Sequence, residues 1–205
     1  QYNGASVTLQ DCALIEFPYE GAPFADADND GMYLSSGTHS LTACLVGWAG
    51  DDGIDGGGSG PELITFQSCW FESCVHEALA MSTAGRRVVR DLVLTNCGQG
   101  IECGYGSESV DAARCLSAAN LVGARFGDCY DWDYDGFLTV ADSLLLHNRR
   151  DVWGRAWDTW EEHLSQMDIR GNRLTAADPL HPDNAVWQPE ADAARLVPFM
   201  PVPEG

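Results

Sequence analysis

Lysine is absent from this 205-residue chain, so all 11 basic side chains are arginine, and they face 31 acidic ones for a net charge of -20. So little positive charge means that phosphate-rich polymers and anionic membranes are repelled, which excludes nucleic acid as a partner. No apolar run approaches the ~20 residues that cross a bilayer, and membrane insertion is not expected. No signal peptide precedes Gln1, so the chain reads as a mature product or an excised piece of something longer. No CxxC pair occurs, which leaves zinc little support, while 8 cysteines are neutral to favourable for a secreted protein. The surplus of carboxylates has two readings: a solvated acidic surface, or particular clusters that hold a hard divalent cation.

What the chain does contain is a repeat. Cys44 to Asp55 (CLVGWAGDDGID), Cys69 to Ala80, Asp91 to Glu102, Cys115 to Phe126 and Ser143 to Gly154 align without internal gaps at offsets of 25, 22, 24 and 28 residues. In that register the sixth position reads Ala49, Cys74, Asn96, Asn120, Asn148, and Asn172 continues it. A column of asparagines suits stacked parallel strands, because each amide both donates and accepts. The lead-in segments SVTL, SLTA, ITFQ, VVRD, LTVA and MDIR alternate or are β-branched, as strands are. Units this short cannot bury an apolar face alone and must stack, with strands ~4.8 Å apart. The leucine and asparagine spacing of a leucine-rich repeat is missing, and a propeller needs longer units. The expected fold is all-β: a right-handed parallel β-helix of six or seven turns over residues 1–175, with an irregular, loop-rich capping tail over 176–205. Trp157 to Met167 carries helical spacing and predicts a short helix in a loop.

Acidic groups fall in register. The ninth position reads Asp52, Glu77, Gln99, Gly123, Asp151 and the twelfth Asp55, Ala80, Glu102, Phe126, Gly154. With Ile54, Leu79 and Ile101 turned inward, alternation sends Asp55, Ala80 and Glu102 out to solvent as the floor of a groove. Two coils separate Asp55 from Glu102, about 9.6 Å, near the upper end of the ~6.5–9.5 Å used by inverting glycosidases. Solvated outer carboxylates, or calcium ligands between turns, are the plainer alternative.

Two loops place oxygen ligands at alternate positions before a glycine, as calcium loops do. The first has Asp26, Asp28 and Asp30 before Gly31; the second has Asp131, Asp133, Asp135 and Gly136, with Asp142 at the twelfth position. The second resembles the calcium loop of dockerins. Ca2+ is the expected ion, with plain acidic turns as the alternative.

NDG with Asp30, DDG with Asp51 and Asp52, and VHEA with His76 follow one another at 22 and 24 residues from Asp30 through Asp52 to His76. Here the chain resembles the pectate-lyase-like superfamily of β-helix proteins and, locally, the polygalacturonase family. The resemblance implies that Asp52 or Asp51 is a general acid, that Asp30 helps activate water, and that His76 supports protonation. The histidine lacks the family's flanking glycines and no RIK-like motif follows; Arg86, Arg87 or Arg125 could stand in. Asp55, Glu77, Glu102 and Arg125 are the candidate substrate-binding groups. Tyr130, Trp132, Tyr134, Trp153, Trp157 and Trp160 read either as sugar-stacking platforms or as loop packing. Cys44 and Cys69 share a column, compatible with a disulfide or with burial as thiols.

The sequence therefore leads to an extracellular or cell-surface, calcium-binding module that binds or processes a polysaccharide. The alternative is a non-catalytic stalk or filament subunit stiffened by calcium, which would self-associate. Whether it is an enzyme stays open; if it is, a glycosidase or lyase is expected.

Overall fold

The computed structural model describes residues 5–17, 29–128, 133–154 and 163–200. Its strands follow one another around a coil. The first three are β1 (Val7–Gln10), β2 (Ala13–Phe17) and β3 (Met32–Tyr33), and the next coil is β4 (Thr38–Thr42), β5 (Leu45–Ala49) and β6 (Ile54–Gly56). Then come β7 (Leu63–Gln67), β8 (Trp70–Glu72) and β9 (Glu77–Met81), followed by β10 (Arg86–Arg90), β11 (Val93–Thr95) and β12 (Gln99–Cys103). The coil of β13 (Ser109–Ala113), β14 (Leu116–Ala118) and β15 (Val122–Phe126) precedes that of β16 (Phe137–Ala141), β17 (Leu144–Leu146) and β18 (Arg150–Trp153). β19 (Met167–Arg170), β20 (Arg173–Leu174) and β21 (Ala185–Val186) end the series.

Every third strand pairs in parallel. The first sheet runs β1-β4-β7-β10-β13-β16-β19, the second β2-β5-β8-β11-β14-β17-β20-β21, and the third β3-β6-β9-β12-β15-β18. The fold is a parallel β-solenoid of about five turns, slightly fewer than the six or seven expected. The tail adds β21 to the second sheet and then a helical turn, α1 (Pro189–Asp192). Of the segment expected to be helical, residues 157–162 lie outside the described ones, Leu164–Gln166 form a single 3-10 turn, and Met167 already belongs to β19.

The first sheet shows why the coil closes. Its five-residue strands bury their second and fourth positions, stacking Leu41, Phe66, Val89, Ala112 and Val140 as one inward column. Each large apolar side chain buried there contributes roughly 1.5–3 kcal/mol. Arg87 occupies the neighbouring inward column, between Ile64 and Val110. Its guanidinium donates to the carbonyls of Pro61, Gly56, Ser82 and Ala84 and so ties two inter-sheet turns together.

Corners between sheets are single residues in the left-handed region. Asp11, Ala43, Ser68, Asp91, Arg114, Asp142 and Gly171 form the first corner, at φ from 50° to 69°. Trp48, Ser73, Asn96, Ala119 and His147 form the second. Non-glycine residues hold this conformation at a cost, and the ladder that continues through each corner over-determines it: Ala43 N–H donates to Gln67, Ser68 to Arg90 and Asp91 to Ala113.

The register corrects the expected asparagine column. Phe71 pairs with Leu94, which places Cys97, not Asn96, beside Cys74. The second-corner column is Ala49, Cys74, Cys97, Asn120, Asn148, with Asn96 one step earlier at the bend itself. Asn172 belongs to the other corner, because Leu144 pairs with Arg173; its Oδ1 accepts from Ser143 N–H. Within its column, Asn120 Oδ1 accepts from Cys97 N–H and Asn148 Oδ1 from Asn120 N–H.

Candidate functional site

The third sheet gathers the predicted site. Pairing of Met32 with Ile54, Ile54 with Leu79, and Leu79 with Ile101 puts Asp30, Asp52, Glu77 and Gln99 in one column, one per coil. A second column runs Tyr33, Asp55, Ala80, Glu102, Arg125, Trp153. The expected continuations through Gly123 and Asp151, and through Phe126 and Gly154, are each one residue off. Val122 and Arg150 pair with Gln99's position and Arg125 and Trp153 with Glu102's, while Phe126 faces the core.

A staircase links the first column: Asp52 N–H donates to Asp30 Oδ1 at 3.3 Å, and Glu77 N–H donates to Asp52 Oδ1 at 2.8 Å. His76 stands at its edge, with a side chain 45 % exposed. Its Nδ1 is 2.6 Å from Glu77 Oε2, 3.5 Å from Asp51 Oδ1 and 3.6 Å from Asp52 Oδ1. Glu77 also accepts from Gln99 Nε2. These side chains meet because the 49–53 and 74–76 turns leave the second corner at matching places: His76 N–H donates to the carbonyl of Asp51, and Gly53 N–H to that of Glu77. Gly53 has to be small, since a Cβ there would press on the carbonyl of Ala78 and the Cys74 thiol.

Glu102 is not out in solvent as alternation suggested, being 3 % exposed. Arg125, 1 % exposed, reaches it through Nη1 at 3.3 Å and lies 3.8 Å from Asp128 through Nη2, with its guanidinium over the Trp153 ring. Burial favours the neutral carboxyl. It pushes Asp52 well above the usual carboxylate range, aided by the charge and hydrogen bonding of Glu77, and does the same to Glu102, aided by Asp128 and Glu77. For His76, burial works against the imidazolium but is outweighed by hydrogen bonds to Asp51 and Glu77, so its pKa is raised and the ring carries a proton. The site therefore sets carboxyls that burial makes reluctant to ionise beside an imidazole whose protonated form is favoured, a combination suited to donating protons.

All eight predicted catalytic and substrate-binding residues are in the strands of the third sheet or in the turns that lead into them: Asp30, Asp51, Asp52 and His76, with Asp55, Glu77, Glu102 and Arg125. The other arginine stand-ins are not. Arg87 is enclosed in the coil, and Arg86 is on the first sheet, 3.7 Å from Asp111. Residues not anticipated are Gln99, Asp128 and Tyr105, whose phenol burial pushes up to about 12, with the charges of Asp55 and Glu102 adding to the effect. Gln99 was legible as a member of the ninth-position column; Asp128 carried only its i+3 spacing from Arg125.

The calcium loops fare differently. Asp26, Asp28 and Asp131 lie outside the described residues. Asp133 and Asp135 pair through their backbones with Gly106. Asp142 does not join them, because residues 137–141 are the extended strand β16 and carry it to the first corner, roughly 20 Å farther along the chain. The dockerin-like loop is therefore not closed by Asp142. Among the described residues one group has metal-ligand geometry: Asp51, Asp52 and His76, whose ligand atoms all lie within 4.8 Å of one another. Two carboxylates and an imidazole fit a transition-type divalent ion better than calcium, which prefers oxygen alone.

Of the aromatic candidates, Tyr130, Trp132, Trp157 and Trp160 lie outside the described residues. Trp153 is stacked on by Arg125 and Arg150, each 5.3 Å from its ring centre, and Tyr134 donates to the carbonyl of Asp128, so both serve packing. Cys44 and Cys69 are adjacent as expected, and both are buried free thiols.

No protein-family model matches the chain, and neither the curated proteins nor the solved structures hold a significant match to it.

Proposed function

We propose that the outer face of the third sheet is the acid–base site of an extracellular β-solenoid protein that processes a polysaccharide, akin to the pectate-lyase-like superfamily. The observation that supports this reading is the convergence of eight chemically apt residues, spread from Asp30 to Arg125 in sequence, on neighbouring coils of one sheet. Asp52 is the proton donor to a glycosidic oxygen, His76 supports that proton through the Asp51–Glu77 network, and Asp30 orients water one coil away. Glu102, held by Arg125, shapes the groove floor beyond Ala80. The alternative role for the same residues is to hold a divalent cation at Asp51, Asp52 and His76, a place other than the two aspartate loops where calcium was expected from sequence.

Asp52→Asn separates the two roles. It removes a proton donor while conserving shape, so polysaccharide turnover should fall roughly 10²–10⁴-fold with little change in melting. Were Asp52 a metal ligand, melting in the presence of the ion and ion affinity would fall together. A variant equal to the parent in turnover, melting and ion binding would remove Asp52 from both roles.

A further inference from the structure

Given the glycan reading above, the geometry points to a ligand that carries free amino groups, and against one that carries carboxylates. Among the described residues, two cationic side chains sit within the site, and both are committed. His76 spends its Nδ1 on Asp51, Asp52 and Glu77. Arg125 is enclosed between Glu102, Asp128 and the Trp153 ring. Arg150, two coils beyond Gln99 in its column, is exposed but lies over the Trp153 ring. A substrate carboxylate entering here would meet carboxyl groups on five successive coils and no uncommitted cation in the site.

Acceptors are in surplus instead. Asp30, Asp51, Asp52 and Asp55 lie on one side, Glu77, Glu102 and Asp128 on the other. Next to Glu77, at the far end of the first column, is an independent sign of an unmet need: Gln99 is 6 % exposed, and its Oε1 is buried with no hydrogen-bond donor, while its Nε2 is held by Glu77. A buried acceptor without a donor is unfavourable until a ligand supplies one. An ammonium group brings three donors and a positive charge, a hydroxyl one donor, a carboxylate none. The whole-chain charge of -20 steers ligands the same way at low ionic strength.

The test is calorimetric titration of the intact chain, with chelator present, against hexamers of glucosamine, N-acetylglucosamine and galacturonate. The glucosamine hexamer should bind about tenfold or more tighter than its acetylated counterpart at low salt, with the gap closing as salt is raised. The galacturonate hexamer should not bind. Asp55→Asn, at the half-buried edge of the second column, should weaken the amine ligand several-fold and by more than it weakens the acetylated one, and should melt as the parent does. Galacturonate binding, or equal affinity for the amine and acetylated hexamers at low salt, would overturn the charge preference alone; loss of galacturonate binding in Arg150→Ala would then identify the handle. If no hexamer binds and a broad panel of neutral glycans also fails, the glycan reading itself falls.

Discussion

Arg87 and Glu108 illustrate how one buried charge sets conditions for another. Arg87 is fully buried with four carbonyls around it, and Glu108, 1 % exposed, accepts from the Cys103 thiol at 3.2 Å and acts on Arg87 more strongly than any other negative group. Burial lifts the Glu108 carboxyl from 4.5 to about 7. Because the folded chain keeps this proton where the unfolded chain has released it, the unfolded state binds fewer protons between those values. Stability must therefore fall as pH rises from about 4.5 to about 7, by up to about 1.4 kcal/mol per pH unit from this group. Glu108→Gln should flatten that part of the profile and leave the variant relatively more stable above pH 7, as urea unfolding from pH 4 to 8 will show; an unchanged slope would remove Glu108 as its source. Nothing in the residue string GSES announces this role. In the sequence Glu108 is one of 31 acidic residues, and only the coil places it near an arginine 21 positions earlier.

At the level of the element, the corners decide what was legible. Strand positions were readable because the alternation of Ile64 with Phe66, or Leu138 with Val140, is a local property of five residues. Corner positions were not. The β10–β11 coil has one residue fewer between Cys97 and β12 than its neighbour has between Cys74 and β9, so a gap-free alignment keeps the third sheet in register by shifting the second corner by one. That is why Glu77, Gln99, Ala80 and Glu102 were aligned correctly while Asn96 was taken for Cys97's position. The side chain that does close this corner is Asn120, which accepts from Cys97 N–H and donates to the Leu94 carbonyl and the Ser117 hydroxyl, all buried. Asn120→Ala orphans these groups together and should cost about 1–3 kcal/mol in denaturant unfolding. Asn96→Ala, whose amide reaches only the Ser73 hydroxyl at an exposed place, should cost well under half as much. Equal losses would mean that the asparagine ladder, as the structure draws it, is not what holds the corner.

For the molecule as a whole, stacking is what turns scattered carboxylates into a site. Asp30, Asp52, Glu77 and Gln99 are 22 to 25 residues apart in sequence and one strand spacing apart in space, so recognising the repeat was enough to bring them together. The burial of Glu102 was not legible, because Arg125 comes to it from the next coil, itself held beside Asp128 and over the Trp153 ring. The same stacking concentrates negative charge in a chain that already carries -20. Self-repulsion of this kind is relieved by any salt, through screening over about 10 Å at 0.1 M. Specific ion binding adds to that only if the folded chain offers a site that the unfolded chain lacks. Asp51 and Asp52 come from one coil and His76 from the next, so their shared geometry exists only when the two are stacked. A divalent ion at about 100 times its dissociation constant would then add about 2.7 kcal/mol. Melting should rise with NaCl, and rise further when MnCl2 or CaCl2 replaces it at equal ionic strength, with manganese ahead because one ligand is an imidazole. The extra rise should vanish in Asp51→Asn while the NaCl effect persists. If the divalent salts match NaCl at equal ionic strength, the cluster acts on stability through charge alone; if the extra rise survives in Asp51→Asn but is lost in Asp133→Asn, the ion sits at the β15–β16 turn instead.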